Sequence, residues 1–358
     1  MSRFAELLGS AAPFVIAEMS GNHNQSLERA LDIVEAVADA GVQAIKLQTY
    51  TADTMTLNIG GSGFIIEDEQ SLWNGRTLYD LYEEAHTPWE WHAPIMLRAR
   101  ELGIECFSTP FDETAVDFLE ELDVPAYKIA SFENIDLPLI GRVAVTGKPM
   151  IISTGMADER QIEEAIATAK ANGCRDLALL HCISGYPTPP EVSNLRTLVD
   201  MKERFGMVVG LSDHTLTTAT AVAAVALGAE IIEKHVTLRR TDGGPDASFS
   251  LEPPELKQLV EDCRLAHLAL GVTTYEQAPC EQGNTVFRRS LYIAQNMCKG
   301  DEFTTQNLRC IRPGHGAAPK FLPQVLGKKS VRALTRGTPL NLTDVESGID
   351  GNNLGENI

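Results

Sequence analysis

Eight short apolar, β-branched stretches run into polar or ionisable residues and alternate with helical segments along this chain. They are Phe14–Glu18, Ala44–Gln48, Glu105–Thr109, Ala126–Ser131, Pro149–Thr154, Leu177–Ser184, Val208–His214 and Ile231–His235. A strand apolar at almost every position suits a parallel sheet, because both of its faces are covered. Eight such units predict an α/β chain folded as a (β/α)8 TIM barrel, whose chemistry sits at the C-terminal ends of the strands. Those ends supply Glu18, Lys46, Gln48, Ser108, Thr109, Lys128, Ser131, Ser153, Thr154, Ser184, Ser212, His214 and His235.

The first helix is expected from the N-cap Ser26 to near Gly41, with Leu27, Ala30, Leu31, Val34 and Val37 as its apolar stripe. One connection is too long for a plain βα unit. The segment Leu57–Pro88 carries Phe64, Trp73, Tyr79 and Tyr82, and barrel loops of this length form lids or binding walls, or else surface insertions. The loops after the seventh and eighth strands read as short. Past Glu276–Gly283 the long periodic segments stop and turns dominate. Lys299–Phe303 leading to Asn307 is echoed by Arg336–Leu340 leading to Asp344, as in a small domain of two related halves. The expected division is a barrel over 1–280, a second domain over 281–346 and a Gly-, Asn- and acid-rich disordered tail over 347–358.

The 358 residues suffice for one barrel and a small module. A net charge of −19 argues against a general nucleic-acid binder, so an anionic substrate must meet a local positive cluster. No apolar run is long enough to span a membrane, and no signal-peptide h-region precedes Phe14. Seven cysteines, Cys106 and Cys182 among the core strands, fit reduced buried thiols, and a cytoplasmic location is expected.

His214 and His235 end consecutive strands, close enough for two imidazoles to share one divalent ion with open positions for substrate; local hydrogen bonding is the alternative. Lys46 and Lys128 among the hydroxyls of Thr109, Ser131, Ser153, Ser184 and Ser212 make a plausible cradle for phosphate and carboxylate. Each lysine alone reads equally well as half of a buried ion pair. Glu18 is a candidate acid/base, whereas His23 fits turn bonding better than catalysis. Asp246, in Gly243–Asp246, presents a carboxylate after the eighth strand, with plain turn chemistry as the alternative, and Arg312-Pro313-Gly314 bears a cation on a rigid loop that by itself reads as a turn. Nucleotide-loop and zinc-finger spacings are absent.

Ordered motifs from Phe14 to Val345 carry a family resemblance. They include Ile16-Ala17-Glu18 with Asn22-His23-Asn24, Lys46-Leu47-Gln48-Thr49, Phe107-Ser108-Thr109-Pro110, Tyr127-Lys128-Ile129-Ala130-Ser131, Ile152-Ser153-Thr154-Gly155-Met156, Gly210-Leu211-Ser212-Asp213-His214 and Glu233-Lys234-His235. The chain resembles the sialic acid synthases, which condense phosphoenolpyruvate with an acetamido sugar. Thr77–Trp91 and Gly243–Pro253 are most similar to the branch that makes pseudaminic acid.

The resemblance implies a transferase with a C-terminal antifreeze-like (SAF) β-clip domain. It implies a divalent metal (Mn2+, Mg2+ or Co2+) on His214 and His235, with Glu18 as the third catalytic residue. Phosphoenolpyruvate would be held by Lys46, Thr109, Lys128, Ser131, Ser153, Ser184 and Ser212. The sugar would be held by Gln48, Glu133, Tyr186, Asp246, Phe287 and Arg312. Ser184 stands where N-acetylneuraminate synthases often carry Asn, which puts one phosphate contact in question. A homodimer is implied, in which Arg312 of one SAF domain covers the site of the other chain. A neuraminate or legionaminate synthase, a pyruvate aldolase and a non-catalytic sugar-binding protein are the competing readings.

Overall fold

The computed structural model describes residues 13–61, 63–69 and 71–346. These fall into two compact units divided between Gly271 and Val272. The tail proposed as disordered, and the N-terminal segment read for a leader, lie outside the described residues.

The first unit is a closed barrel of eight parallel strands, each hydrogen-bonded to the next and the eighth to the first. The strands are β1 (Phe14–Glu18), β2 (Ala44–Thr49), β3 (Glu105–Pro110), β4 (Tyr127–Ile129), β5 (Met150–Ser153), β6 (Leu177–Cys182), β7 (Val208–Asp213) and β8 (Ile231–His235). β4 and β6 end earlier than their apolar runs suggest. Ser131–Glu133 turns into a 3-10 helix. Ile183 leaves the sheet, and its carbonyl accepts from His214 Nδ1 at 3.0 Å. Strand-forming composition therefore extends past the ladder where the chain turns to build the mouth.

Alternation along each strand sorts the core. Phe14, Ile16, Ala44, Phe107, Ala126, Ile151, Ala178, Leu180 and Ile231 form one buried cluster that plugs the barrel. Their neighbours Val15, Ala17, Ile45, Leu47 and Ile232 face the helices. Each buried Phe or Ile of the plug contributes roughly 2–3 kcal/mol. Gly210 is where the plug leaves no room: a Cβ there would lie 2.4 Å from the Ile231 carbonyl oxygen.

Helix α1 (Leu27–Asp39) starts as expected, with the Ser26 side chain accepting from Arg29 N. Between β2 and β3 run α2 (Ala52–Met55), the lid segment, α3 (Leu78–Ala85) and α4 (Trp89–Glu101). The lid folds on itself through an Ile65–Thr77 bridge and an Ile66 N to Arg76 O bond of 2.9 Å. The loop after β8 spans 236–252 and carries two 3-10 turns, so it is not the short connection that the sequence suggested.

The second unit is built from turns and short pairings. β9 (Ser290–Ile293) pairs antiparallel with β10 (Leu308–Ile311) over a small core of Leu291, Phe303, Leu308, Val325, Leu334 and Leu340. The two echoing stretches place Gly300 and Gly337 at nearly equal positive φ, +87° and +90°.

Candidate active site

The same alternation that builds the plug carries it upward into polar residues. Glu18 follows Ile16, Lys46 follows Ala44, Thr109 follows Phe107, Lys128 follows Ala126, Ser153 follows Ile151, and Glu233 with His235 follows Ile231. All of these side chains therefore point into the barrel above its apolar plug. Glu18, Lys46, Thr109, Lys128, Ser153, Ser212, His214 and Glu233 are buried.

Two ammonium groups organise the floor. Lys46 pairs with Glu18, donates to Thr109 Oγ1 at 3.1 Å, and lies 3.9 Å from Glu233. Lys128 donates to Glu233 Oε1 at 3.3 Å, and the Ser212 hydroxyl donates to that same oxygen at 2.9 Å. Gln48 donates to Glu18 Oε1 at 2.9 Å. Burial works against every charge here, so the carboxyls divide by their partners. Burial raises Glu233 too, but Lys128 and Lys46 outweigh it and hold this carboxyl down to about 2. For Glu18, burial outweighs Lys46 and pushes it up to about 7. Two lysines thus face one carboxyl held low and one held high, inside a chain that is strongly acidic as a whole.

A hydroxyl cradle adjoins the lysines. Ser131 Oγ accepts from Gly155 N at 3.2 Å and its side chain also bonds Cys182. A Cβ on Gly155 would sit 2.4 Å from Ser184 Oγ and 2.6 Å from Ser131 Oγ. The two hydroxyls thus converge over a position that only glycine leaves open. The buried Ser153 hydroxyl has no partner of its own. Ser184, in question because it lacks the amide of Asn, still brings a hydroxyl to the cradle.

His214 and His235 lie with ring centroids 5.3 Å apart. The Ile183 carbonyl occupies His214 Nδ1, leaving Nε2 available. His235 Nδ1 is buried without a partner, and burial followed by His214 holds this imidazole well below its usual range, in the neutral form that ligates metals. Among the described residues no group of three or more His, Cys, Asp or Glu could hold a metal. An ion on these two imidazoles would take its remaining positions from water and substrate.

Aromatic rings surround the pair. Tyr186 lies 4.4 Å from His214, and Phe249 lies 5.1 Å from Tyr186 and 5.0 Å from His235. Asp246 is buried, accepts from Ser20 Oγ and is raised by its burial. Glu133 is raised to about 7, mainly by burial, and its Oε2 has no partner. Phe287 and Arg312 belong to the second unit, where both are exposed. His23 makes turn contacts: Nδ1 accepts from Gln25 N at 3.2 Å, and Nε2 meets Thr87 Oγ1 at 3.2 Å.

The inventory of strand ends passes over Glu233, the carboxylate that joins both lysines. Its signal was parity, since Glu233 stands two residues before His235 and shares its face. Gly155, Trp73 and Phe249 had no such signal, because their loops have no fixed period.

Residues 33–275 match the NeuB family and residues 288–346 match the SAF domain. A pseudaminic acid synthase from Campylobacter jejuni is 43% identical over 331 residues, covering 92% of this chain and 96% of that one. One from Helicobacter pylori is 40% identical, covering 94% and 99%. The crystal structure of an N-acetylneuraminic acid synthetase from Leptospira borgpetersenii, solved with citrate, superposes with a TM-score of 0.67 at 32% identity, covering 76% of this chain and 90% of that one. The chain belongs to the NeuB family and carries a SAF domain.

Proposed function

We propose that this chain is a pseudaminic acid synthase. It condenses phosphoenolpyruvate with 2,4-diacetamido-2,4,6-trideoxy-L-altrose and water, giving pseudaminic acid and phosphate. The observation that carries the reading is the juxtaposition of the Lys46–Lys128 floor and the Ser131–Ser184 cradle with the His214–His235 pair. The first suits a phosphorylated carboxylate, and the second faces an electrophilic carbonyl. Near-full-length identity of 40–43% to pseudaminic acid synthases supports the choice of sugar. Pyruvate alone would leave the hydroxyl cradle without a purpose.

In this mechanism Lys46, Lys128, Thr109, Ser153 and Ser212 hold the carboxylate and phosphate of phosphoenolpyruvate, with Ser131 and Ser184 donating to phosphate oxygens. Gln48, Glu133, Tyr186 and Asp246 hold the open-chain sugar. C3 of phosphoenolpyruvate bonds to the aldehyde carbon, and a water oxygen bonds to C2. One water proton goes to the new sugar hydroxyl. The C2–O bond to phosphate then breaks, and the departing phosphate takes the other proton. Glu18, poised near neutrality by its burial, is suited to relay the first of these protons. His214 and His235 would hold a divalent cation, which would supply Lewis-acid polarisation of the aldehyde oxygen.

Phosphate release from phosphoenolpyruvate, measured with candidate sugars, tests the reading. The diacetamido trideoxy sugar is expected to give the highest kcat/KM. A higher value with N-acetylmannosamine would move the chain to another branch.

The active form in this proposal is a homodimer, in which the SAF domain supplies Arg312 to the partner's barrel. Excluding water strengthens each polar contact to the substrates, and the exposed Arg312 is a free cation for that role. Arg312→Ala and His214→Ala subunits, each inactive alone, are expected to regain activity when mixed, because a mixed dimer holds one intact composite site. No recovery in verified heterodimers would mean that each chain covers its own barrel.

A further inference from the structure

The geometry points to Trp73 of the lid as a specificity-determining residue, an apolar wall that selects a sugar ending in a methyl group over one ending in a hydroxymethyl group. The inference rests on the proposed sugar condensation and adds to it a residue that none of the strand ends supplies.

The lid between α2 and α3 is held in place by its own short pairing, with Gly75 N bonded to Ile66 O at 2.7 Å and Leu78 N to Phe64 O at 2.9 Å. Trp73 lies in the return arm of this loop, where its backbone N–H donates to Ser71 Oγ at 3.2 Å. Its indole Nε1 donates to the Pro245 carbonyl at 3.0 Å. That bond ties the lid to the loop after β8, beside the buried Asp246. It also satisfies the ring's only polar group, leaving the faces of the half-buried indole for apolar contact.

The ring centroid is 5.9 Å from that of Tyr186, which in turn lies 4.4 Å from His214. Phe249 closes the inner side of this row, 5.1 Å from Tyr186. Trp73 is therefore one ring farther from the histidines than Tyr186. A six-carbon open-chain sugar whose aldehyde faces His214 and His235 extends its far carbons along this row. Leu72, the chain neighbour of Trp73, is 49% exposed.

A methyl group on this wall loses little on leaving water. A hydroxyl there gives up hydrogen bonds that the indole faces do not replace. An apolar pocket rejects an added hydroxyl by about 100-fold at most, and this sets the expected scale.

The test is calorimetric titration, with inorganic phosphate in place of phosphoenolpyruvate so that no condensation occurs, of the 6-deoxy diacetamido sugar and of its 6-hydroxy counterpart, the Kd for phosphoenolpyruvate being measured separately without sugar. Wild type is expected to bind the 6-deoxy sugar more tightly by up to about 100-fold. Trp73→Ala is expected to reduce that ratio at least about tenfold, leaving the Kd for phosphoenolpyruvate within about twofold. Trp73→Phe keeps an aromatic face without the bond to Pro245 and should retain most of the discrimination, which guards against simple misfolding of the lid. An unchanged ratio in Trp73→Ala, or weakening of phosphoenolpyruvate in parallel with the sugar, would overturn the assignment. The binding ratio is read without turnover, so absence of phosphate release would count against the proposed reaction and not against the role of Trp73.

Discussion

Replacing His214 or His235 by Ala is expected to lower condensation by at least about 10^3-fold while the barrel stays folded. The magnitude follows from losing Lewis-acid stabilisation worth several kcal/mol at the aldehyde oxygen. The fold should persist because neither ring belongs to the apolar plug: both stand at the mouth, after strands whose lower halves carry Leu211, Ile231 and Ile232. Circular dichroism and thermal melting should therefore match the wild type, and treatment with EDTA should imitate the substitutions. Restoration by Mn2+, Mg2+ or Co2+ would rank the metals. Activity that survives thorough chelation would remove the metal from the mechanism. A variant that melts well below the wild type would recast the pair as structural.

Glu233→Gln should produce an unusual combination: a less stable protein that binds inorganic phosphate more tightly. The carboxylate is buried between Lys128 at 3.3 Å and Lys46 at 3.9 Å. Removing its charge while keeping its shape leaves two desolvated ammonium groups short of a counter-ion. Breaking a buried pair in this way costs about 3–5 kcal/mol. For a barrel of this size that corresponds to a fall in Tm on the order of 10 °C. The cluster becomes more positive by one charge, so an anion that enters it gains what the lysines have lost. Phosphate should then raise the Tm of Glu233→Gln more than that of the wild type, and condensation should fall because Ser212 and the lysines lose their common anchor. A variant as stable as the wild type, or one indifferent to phosphate, would show that Glu233 does not balance the floor.

A smaller structural pair sets off this argument. Lys234 points the other way on β8, pairs with Asp213 at 2.8 Å and also donates to the carbonyls of Thr215 and Thr217. It ties down the loop that carries His214 without facing the barrel interior. Two lysines of the same strand ladder can therefore do different work, and only the face decides which. The sequence reading left open whether Lys46 and Lys128 were structural ion pairs or substrate ligands. They are paired and face the mouth, since Glu18 and Glu233 partner them inside the barrel where a bound anion would also lie.

What the sequence determined by itself was everything governed by a local period. Apolar runs in eight strands, with helices between them, point to a parallel sheet covered on both faces, and eight βα units are the number that closes as a barrel. Period-two alternation also placed Glu18, Lys46, Thr109, Lys128, Ser153, Ser212 and His235 on one interior face, and it held the position of Glu233 for a reader who extended the count. Tertiary structure alone decided the contacts that cross between loops. Trp73 meets Pro245 across 172 positions of chain, Ser20 meets Asp246 across 226, and Gly155 lies beneath hydroxyls from two other strand ends. Loops have no repeat that fixes side-chain direction, so only closure of the barrel, which brings all eight mouths to one rim, sets which of their residues meet.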